Sequence, residues 1–150
     1  MSENNGYNGN SLVKDDSVQQ NFTAEEVREY AMCMNNISYF CENYVKVISL
    51  DDGLAPFKLR GYQEDLVDHY EKNRFSVVKA CRQSGKSITS VAYLLHYLVF
   101  NPDKKVAILA NKGSTAREML ARLTLMLEHL PFFLQPGCKT LNKGNIVFSN

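Results

Sequence analysis

The sequence lacks a dominant sign of charge: 17 Lys and Arg stand against 16 Asp and Glu in 150 residues, for a formal charge of +1. A protein that coats nucleic acid through bulk electrostatics carries a strong basic excess, so any DNA contact here has to come from local clusters. Paired cysteines are also missing. Cys33, Cys41, Cys81 and Cys138 form no C-x-x-C pair, which argues against a zinc or redox motif and leaves intracellular free thiols as the expectation. Long apolar runs are absent as well. The most apolar segment, Ile88 to Phe100, has 13 residues and includes His96, whereas a membrane span needs about 20. The first residues, Met1 to Gly6, show neither the basic flank nor the apolar stretch of a secretory signal. What remains is a chain large enough to bury roughly 70% of its unfolded surface without disulfide or metal staples.

Residues 1–21 are rich in Asn, Ser and Gly with scattered single apolar residues, and a disordered tail is expected there. A lead-in spans 22–58. Its helix begins at the capping box Thr23-Ala24-Glu25-Glu26 and runs to about residue 43, with Val27, Tyr30, Ala31, Met34, Ile37, Cys41 and Tyr44 on one face. A β-branched stretch from Val45 to Leu50 follows, closed by a turn at Asp51-Asp52-Gly53. Residues 59–150 form the next unit. Tyr62 to Glu71 is patterned as an amphipathic helix, Phe75 to Ala80 as a strand, Gly85 to Phe100 as an apolar helix stopped by Asn101-Pro102-Asp103, and Val106 to Ala110 as a second strand. Because both strands read as largely apolar runs rather than alternating ones, the βαβ order predicts a parallel sheet covered on both faces. A second capping box, Thr115-Ala116-Arg117-Glu118, opens another helix that ends at Pro131. Lys139 to Leu141 and Ile146 to Phe148 then flank Asn142-Lys143-Gly144-Asn145 as hairpin arms.

The chemistry is concentrated in Ala80-Cys81-Arg82-Gln83-Ser84-Gly85-Lys86-Ser87, between a strand and a helix. A helix starting there directs unpaired amides and the positive end of its dipole at the preceding loop, which is an anion site built from backbone. Gly85 allows close approach to a phosphate, Lys86 can neutralise β- and γ-phosphate oxygens, and the Ser87 hydroxyl can complete the coordination of Mg²⁺. The generic pattern G-x-x-x-x-G-K-[ST] asks for Gly at position 80, where this chain has Ala80. Arg82 reads either as a finger arginine supplied in cis or as a solvated loop residue. Upstream, Gln63 in Leu59-Arg60-Gly61-Tyr62-Gln63 carries the acceptor and donors needed to pair with adenine, or is a surface residue of a first helical turn. Glu64, Asp65 and Asp68 read as a solvated face, and His69, His96 and His129 as singletons without chemistry.

Taken together, these strings resemble the large terminase subunit of tailed bacteriophages, the ATP-driven DNA-packaging motor, and in particular its myovirus branch, over about residues 22–150. The carrying segments are the helix from Glu25 to Tyr44, Arg60-Gly61-Tyr62-Gln63, Cys81 to Ser87, Ile108-Leu109-Ala110-Asn111-Lys112-Gly113-Ser114, and Leu130 to Gly137. Terminases of that branch also depart from the generic loop pattern at its first Gly, so Ala80 fits the resemblance. It implies an ASCE-type P-loop NTPase with a parallel-sheet core. It also implies that ATP and Mg²⁺ would be bound by Arg60, Tyr62, Gln63, Cys81, Gln83, Ser84, Gly85, Lys86 and Ser87, with catalytic roles for Lys86 and Arg82 and a DNA contact at Lys112. The implied partners are double-stranded viral DNA, the portal protein, the small terminase subunit and further copies in a ring, in the host cytoplasm and away from membranes. A superfamily 2 helicase-like translocase and a non-catalytic fragment that associates with a separate remainder stay open as alternatives. The resemblance further leads one to expect an apolar strand ending in Asp-Glu, and residues 1–150 contain no such string. The segment therefore reads as the opening part of an ATPase domain, inactive by itself.

Overall fold

In the computed structural model, residues 6–49 and 53–150 are described. The chain is a mixed α/β protein whose five helices, among the described residues, surround an apolar centre and carry small antiparallel strand pairs at the periphery.

The central element is α4 (Lys86–Phe100), which buries Val91, Ala92, Leu95, Val99 and Phe100 over a wide face. That width follows from its sequence, in which polar side chains are confined almost entirely to the first turn. Helix α5 (Gly113–Glu128) packs along it through Leu123, Met126 and Leu127, and α3 (Gly61–Lys72) approaches through Val67 and Gln63. Each fully buried Leu or Met here contributes about 1.5–3 kcal/mol of transfer free energy.

The lead-in helix is two helices, α1 (Ala24–Asn35) and α2 (Ile37–Tyr44). Thr23 and Glu26 form the anticipated capping box, with the Thr23 N–H donating to Glu26 Oε2 at 2.8 Å and the Glu26 N–H to Thr23 Oγ1 at 3.2 Å. The break falls at Asn36, whose extended backbone (φ −144°) ends α1 while its side chain accepts from the Tyr39 N–H at 2.9 Å and so starts α2. An Asn can cap a new helix for the cost of one residue of the old one. The expected single stripe does not cross the break: Val27, Ala31 and Met34 are exposed and α1 buries Cys33 instead, while Ile37 and Cys41 of α2 are buried as anticipated. Phe40 stands edge-on to His96 and Phe100 at 5.4 and 5.5 Å, joining α2 to α4.

Strands β3 (Lys46–Ser49) and β4 (Gly53–Pro56) form an antiparallel hairpin. Of its expected turn, Asp51 and Asp52 lie outside the described residues, and Gly53 has φ +67°. Strands β5 (Cys138–Leu141) and β6 (Ile146–Phe148) pair as anticipated from the sequence. Helix α5 starts earlier than its expected box: Lys112 is the cap residue and Thr115 lies inside the first turn without a side-chain cap bond.

Two expectations are corrected. The first is the disordered tail. Residues 1–5 lie outside the described part, but Gly6–Tyr7 (β1) and Asn10–Lys14 (β2) form an antiparallel pair, and Val13 is fully buried. The anchor is the side chain of Gln135, itself buried: it accepts from the Lys14 N–H at 2.8 Å and donates to the carbonyls of Leu12 and Leu130 at 2.8 and 2.7 Å. One amide side chain thus substitutes for a neighbouring strand. The Lys14 ammonium donates to the Phe132 carbonyl at 3.0 Å, and burial pulls its pKa down.

The second correction concerns the parallel sheet. Residues 75–80 and 106–110 form no ladder with each other or with any strand among the described residues, and Phe75, Val77 and Leu109 are 83, 99 and 86% exposed. The apolar pattern is a local property, whereas a ladder requires a neighbour whose own backbone groups are free. None is offered within the described part.

The candidate phosphate loop

The loop before α4 is shaped by its own side chains. The Cys81 carbonyl accepts from Ser84 Oγ and from the Lys86 ammonium, both at 3.0 Å, which closes the loop on itself. Two of its residues are left-handed, Gln83 at φ +60° and Gly85 at φ +79°. Gly85 is the N-cap of α4, and a Cβ there would stand 2.7 Å from Gln63 Nε2. Glycine is therefore required twice, by the backbone angle and by the approach of α3. Position 80 makes no such demand: Ala80 is not among the residues with positive φ, so a glycine at that point has no conformational task.

Helix α3 grips this loop from one side. Its cap, Arg60, donates its backbone N–H to Gln63 Oε1 at 2.9 Å, and the Gln63 amide then donates to Thr89 Oγ1 at 2.8 Å. Thr89 in turn donates to the Gly85 carbonyl through both its hydroxyl and its backbone N–H, each at 3.0 Å. Gln63 is 4% exposed and Thr89 wholly buried. Tyr62 completes the grip, its hydroxyl donating to the Ser84 carbonyl. Beyond this, Ser90 Oγ donates to the Lys86 carbonyl at 2.9 Å and meets the Tyr70 hydroxyl at 3.0 Å.

Tyr62, Gln63, Ser84, Gly85 and Lys86 of the sequence-predicted set therefore meet in one place. Thr89 joins them and was not anticipated. Its signal was available: a hydroxyl four residues after Gly85, in the first turn of an apolar helix, is placed to bond the carbonyl one turn back. Cys81, Arg82 and Gln83 lie exposed on the loop, and Ser87 is half-buried at the start of α4. The amide anticipated to read adenine is engaged inside the protein. Lys112 caps α5 on a separate loop, where its carbonyl accepts from the Thr115 N–H at 3.1 Å, and no hydrogen bond joins the two loops among the described residues.

The other titratable groups are structural. Burial pushes the Cys33 and Cys41 thiols up to about 12, which keeps both protonated at neutral pH, while Cys81 is exposed. His96 bonds the Cys33 carbonyl at 2.8 Å within the apolar centre, and desolvation lowers its pKa. Asp68 pairs with Lys72 on an exposed helix face. Among the described residues no group of three or more His, Cys, Asp and Glu could hold a metal ion, and no helix is long and apolar enough to cross a membrane. No protein-family model matches the sequence.

Proposed function

We propose that this chain provides the nucleotide-binding part of a DNA-translocating ATPase of the phage large-terminase kind. The observation that carries the reading is the left-handed Gly85 at the cap of α4, followed at once by Lys86 and Ser87 in the helix's half-buried first turn, with Cys81, Arg82 and Gln83 exposed on the loop before it. The first-turn amides of a helix have no acceptor within it, and a triphosphate supplies one together with charge that the helix dipole favours. Lys86, which donates to the Cys81 carbonyl, would bind the β- and γ-phosphate oxygens by exchanging that neutral acceptor for charged ones. The Ser87 hydroxyl would be a ligand for a Mg²⁺ bound with the nucleotide, an ion that would offset phosphate charge. Arg82, exposed on the preceding loop, would supply a guanidinium to the γ-phosphate.

By the same reading the substrate is double-stranded viral DNA, contacted through Lys112, and the working form is a ring of copies associated with the portal and the small terminase subunit. Residues 1–150 hold no run of four apolar residues ending in an acidic pair, so on this reading they bind ATP without turning it over. Calorimetric titration of residues 1–150 with Mg-ATP tests the proposal. Saturable binding is expected, with Lys86→Ala weakening it at least tenfold while the circular dichroism spectrum is unchanged. Equal binding by Lys86→Ala, or none by the parent chain, refutes it.

A further inference from the structure

Among the described residues, the hydrogen bonds that hold the loop fall on its carbonyls. In a trans peptide unit the carbonyl of one residue and the N–H of the next point in opposite directions. Tyr62 holds the Ser84 carbonyl, so the Gly85 N–H faces away from α3. Thr89 holds the Gly85 carbonyl with two donors, so the Lys86 N–H faces away from the body of α4. Gln63 locks the Thr89 hydroxyl: by donating to Thr89 Oγ1 it leaves that oxygen's own proton free for Gly85, and the Gln63 carbonyl oxygen is anchored in turn by the Arg60 N–H. The Gln63 side chain thus has both ends committed.

We propose that Tyr62, Gln63 and Thr89 are positioning residues that pre-set the amide donors of the phosphate loop by holding its carbonyls, so that Gln63 acts on the triphosphate through Thr89 and Gly85 rather than on the base. This rests on the triphosphate-binding reading above and changes the part played by the Arg60–Gln63 box. A base contact and a positioning role differ in what they do to a ligand without a base. Removing a base contact weakens ATP and leaves inorganic tripolyphosphate unaffected, whereas loosening the loop weakens both by the same factor.

The experiment is calorimetric titration of Mg-ATP and Mg-tripolyphosphate into the parent chain, Tyr62→Phe, Gln63→Leu, Thr89→Val and Thr89→Ser. Loss of one pre-orienting hydrogen bond is expected to weaken both ligands about fivefold in the first three variants. Thr89→Ser, which keeps the hydroxyl, should bind within about twofold of the parent, a rescue that a packing role for the methyl group would not give. Tyr62 is half-exposed, so Tyr62→Phe decides the matter should a buried variant fail to fold. Weaker ATP with unchanged tripolyphosphate in Gln63→Leu overturns the positioning role in favour of base contact, and unchanged affinity for both ligands in Tyr62→Phe and Thr89→Val overturns it outright. Failure of the parent chain to bind either ligand overturns the triphosphate reading, and the positioning role with it.

Discussion

Gly85→Ala is the most informative single change, because two separable costs meet at one atom. The first is backbone. At φ +79° an L-residue with a Cβ sits in the left-handed region at about 1–2 kcal/mol. The second is contact. The new Cβ would lie 2.7 Å from Gln63 Nε2, and Gln63 is 4% exposed with nowhere to retreat except by breaking its bond to Thr89. A buried donor and acceptor parted in this way cost about 1–3 kcal/mol. Together they amount to about 2–5 kcal/mol, a large share of the roughly 5–15 kcal/mol by which domains of this kind are stable. Urea denaturation followed by far-ultraviolet circular dichroism measures it, with the slope against denaturant checked for constancy. Gly85→Asn separates the two terms, since Asn tolerates left-handed backbone but keeps the Cβ. It should lose only the contact part. A loss below about 1 kcal/mol in Gly85→Ala would mean that the loop is not clasped against α3 in the way described.

Further outcomes follow from the same contacts. His96 is neutral in the fold with its pKa held below the ordinary 6.5, so the unfolded chain takes up a proton first as pH drops. Stability should be fully present above about pH 6.5 and fall at up to about 1.4 kcal/mol per unit as pH falls below it toward the lower folded value. In His96→Phe that slope should flatten. Gln135→Met strands the Lys14 N–H and the carbonyls of Leu12 and Leu130, and should cost about 1–3 kcal/mol while hydrogen exchange at Lys14 becomes fast; retained protection would contradict the anchoring of β2. Asn36→Ala removes the cap between α1 and α2 and should cost about 1 kcal/mol by the same denaturation assay. In the native protein Ellman's reagent should titrate Cys81 alone, against four thiols in guanidinium, and Mg-tripolyphosphate should slow that reaction.

Helices α3, α4 and α5 were legible because their apolar spacing is a local property, whereas the break between α1 and α2 at Asn36 was not. Leu66 and Val67, the run from Ile88 to Phe100, and Leu123 to Leu127 each mark a face without reference to the rest of the chain. The β5–β6 hairpin was legible for the same reason, its Asn-Lys-Gly-Asn turn lying between two short apolar arms. What was hidden is long-range. Val13 looks like an isolated apolar residue until Gln135, more than a hundred positions away, supplies its strand with a backbone partner. The runs at 75–80 and 106–110 have the composition of buried strands, but composition cannot say which neighbour they pair with. At the candidate site, Gly85, Lys86 and Ser87 could be read from spacing. The direction of the Gln63 amide could not, since a surface residue, a base contact and a buried clasp have the same letter.

The most direct test of the account is the ¹⁵N–¹H spectrum of residues 1–150 titrated with Mg-tripolyphosphate, an anion with no base to complicate the reading. The amides of Gly85, Lys86 and Ser87 should move furthest and saturate together, because amides at the start of a helix have no acceptor within it and are the donors the proposed site would offer. Shifts that are absent, non-saturating, or centred away from the start of α4 would contradict the claim that this loop holds a triphosphate.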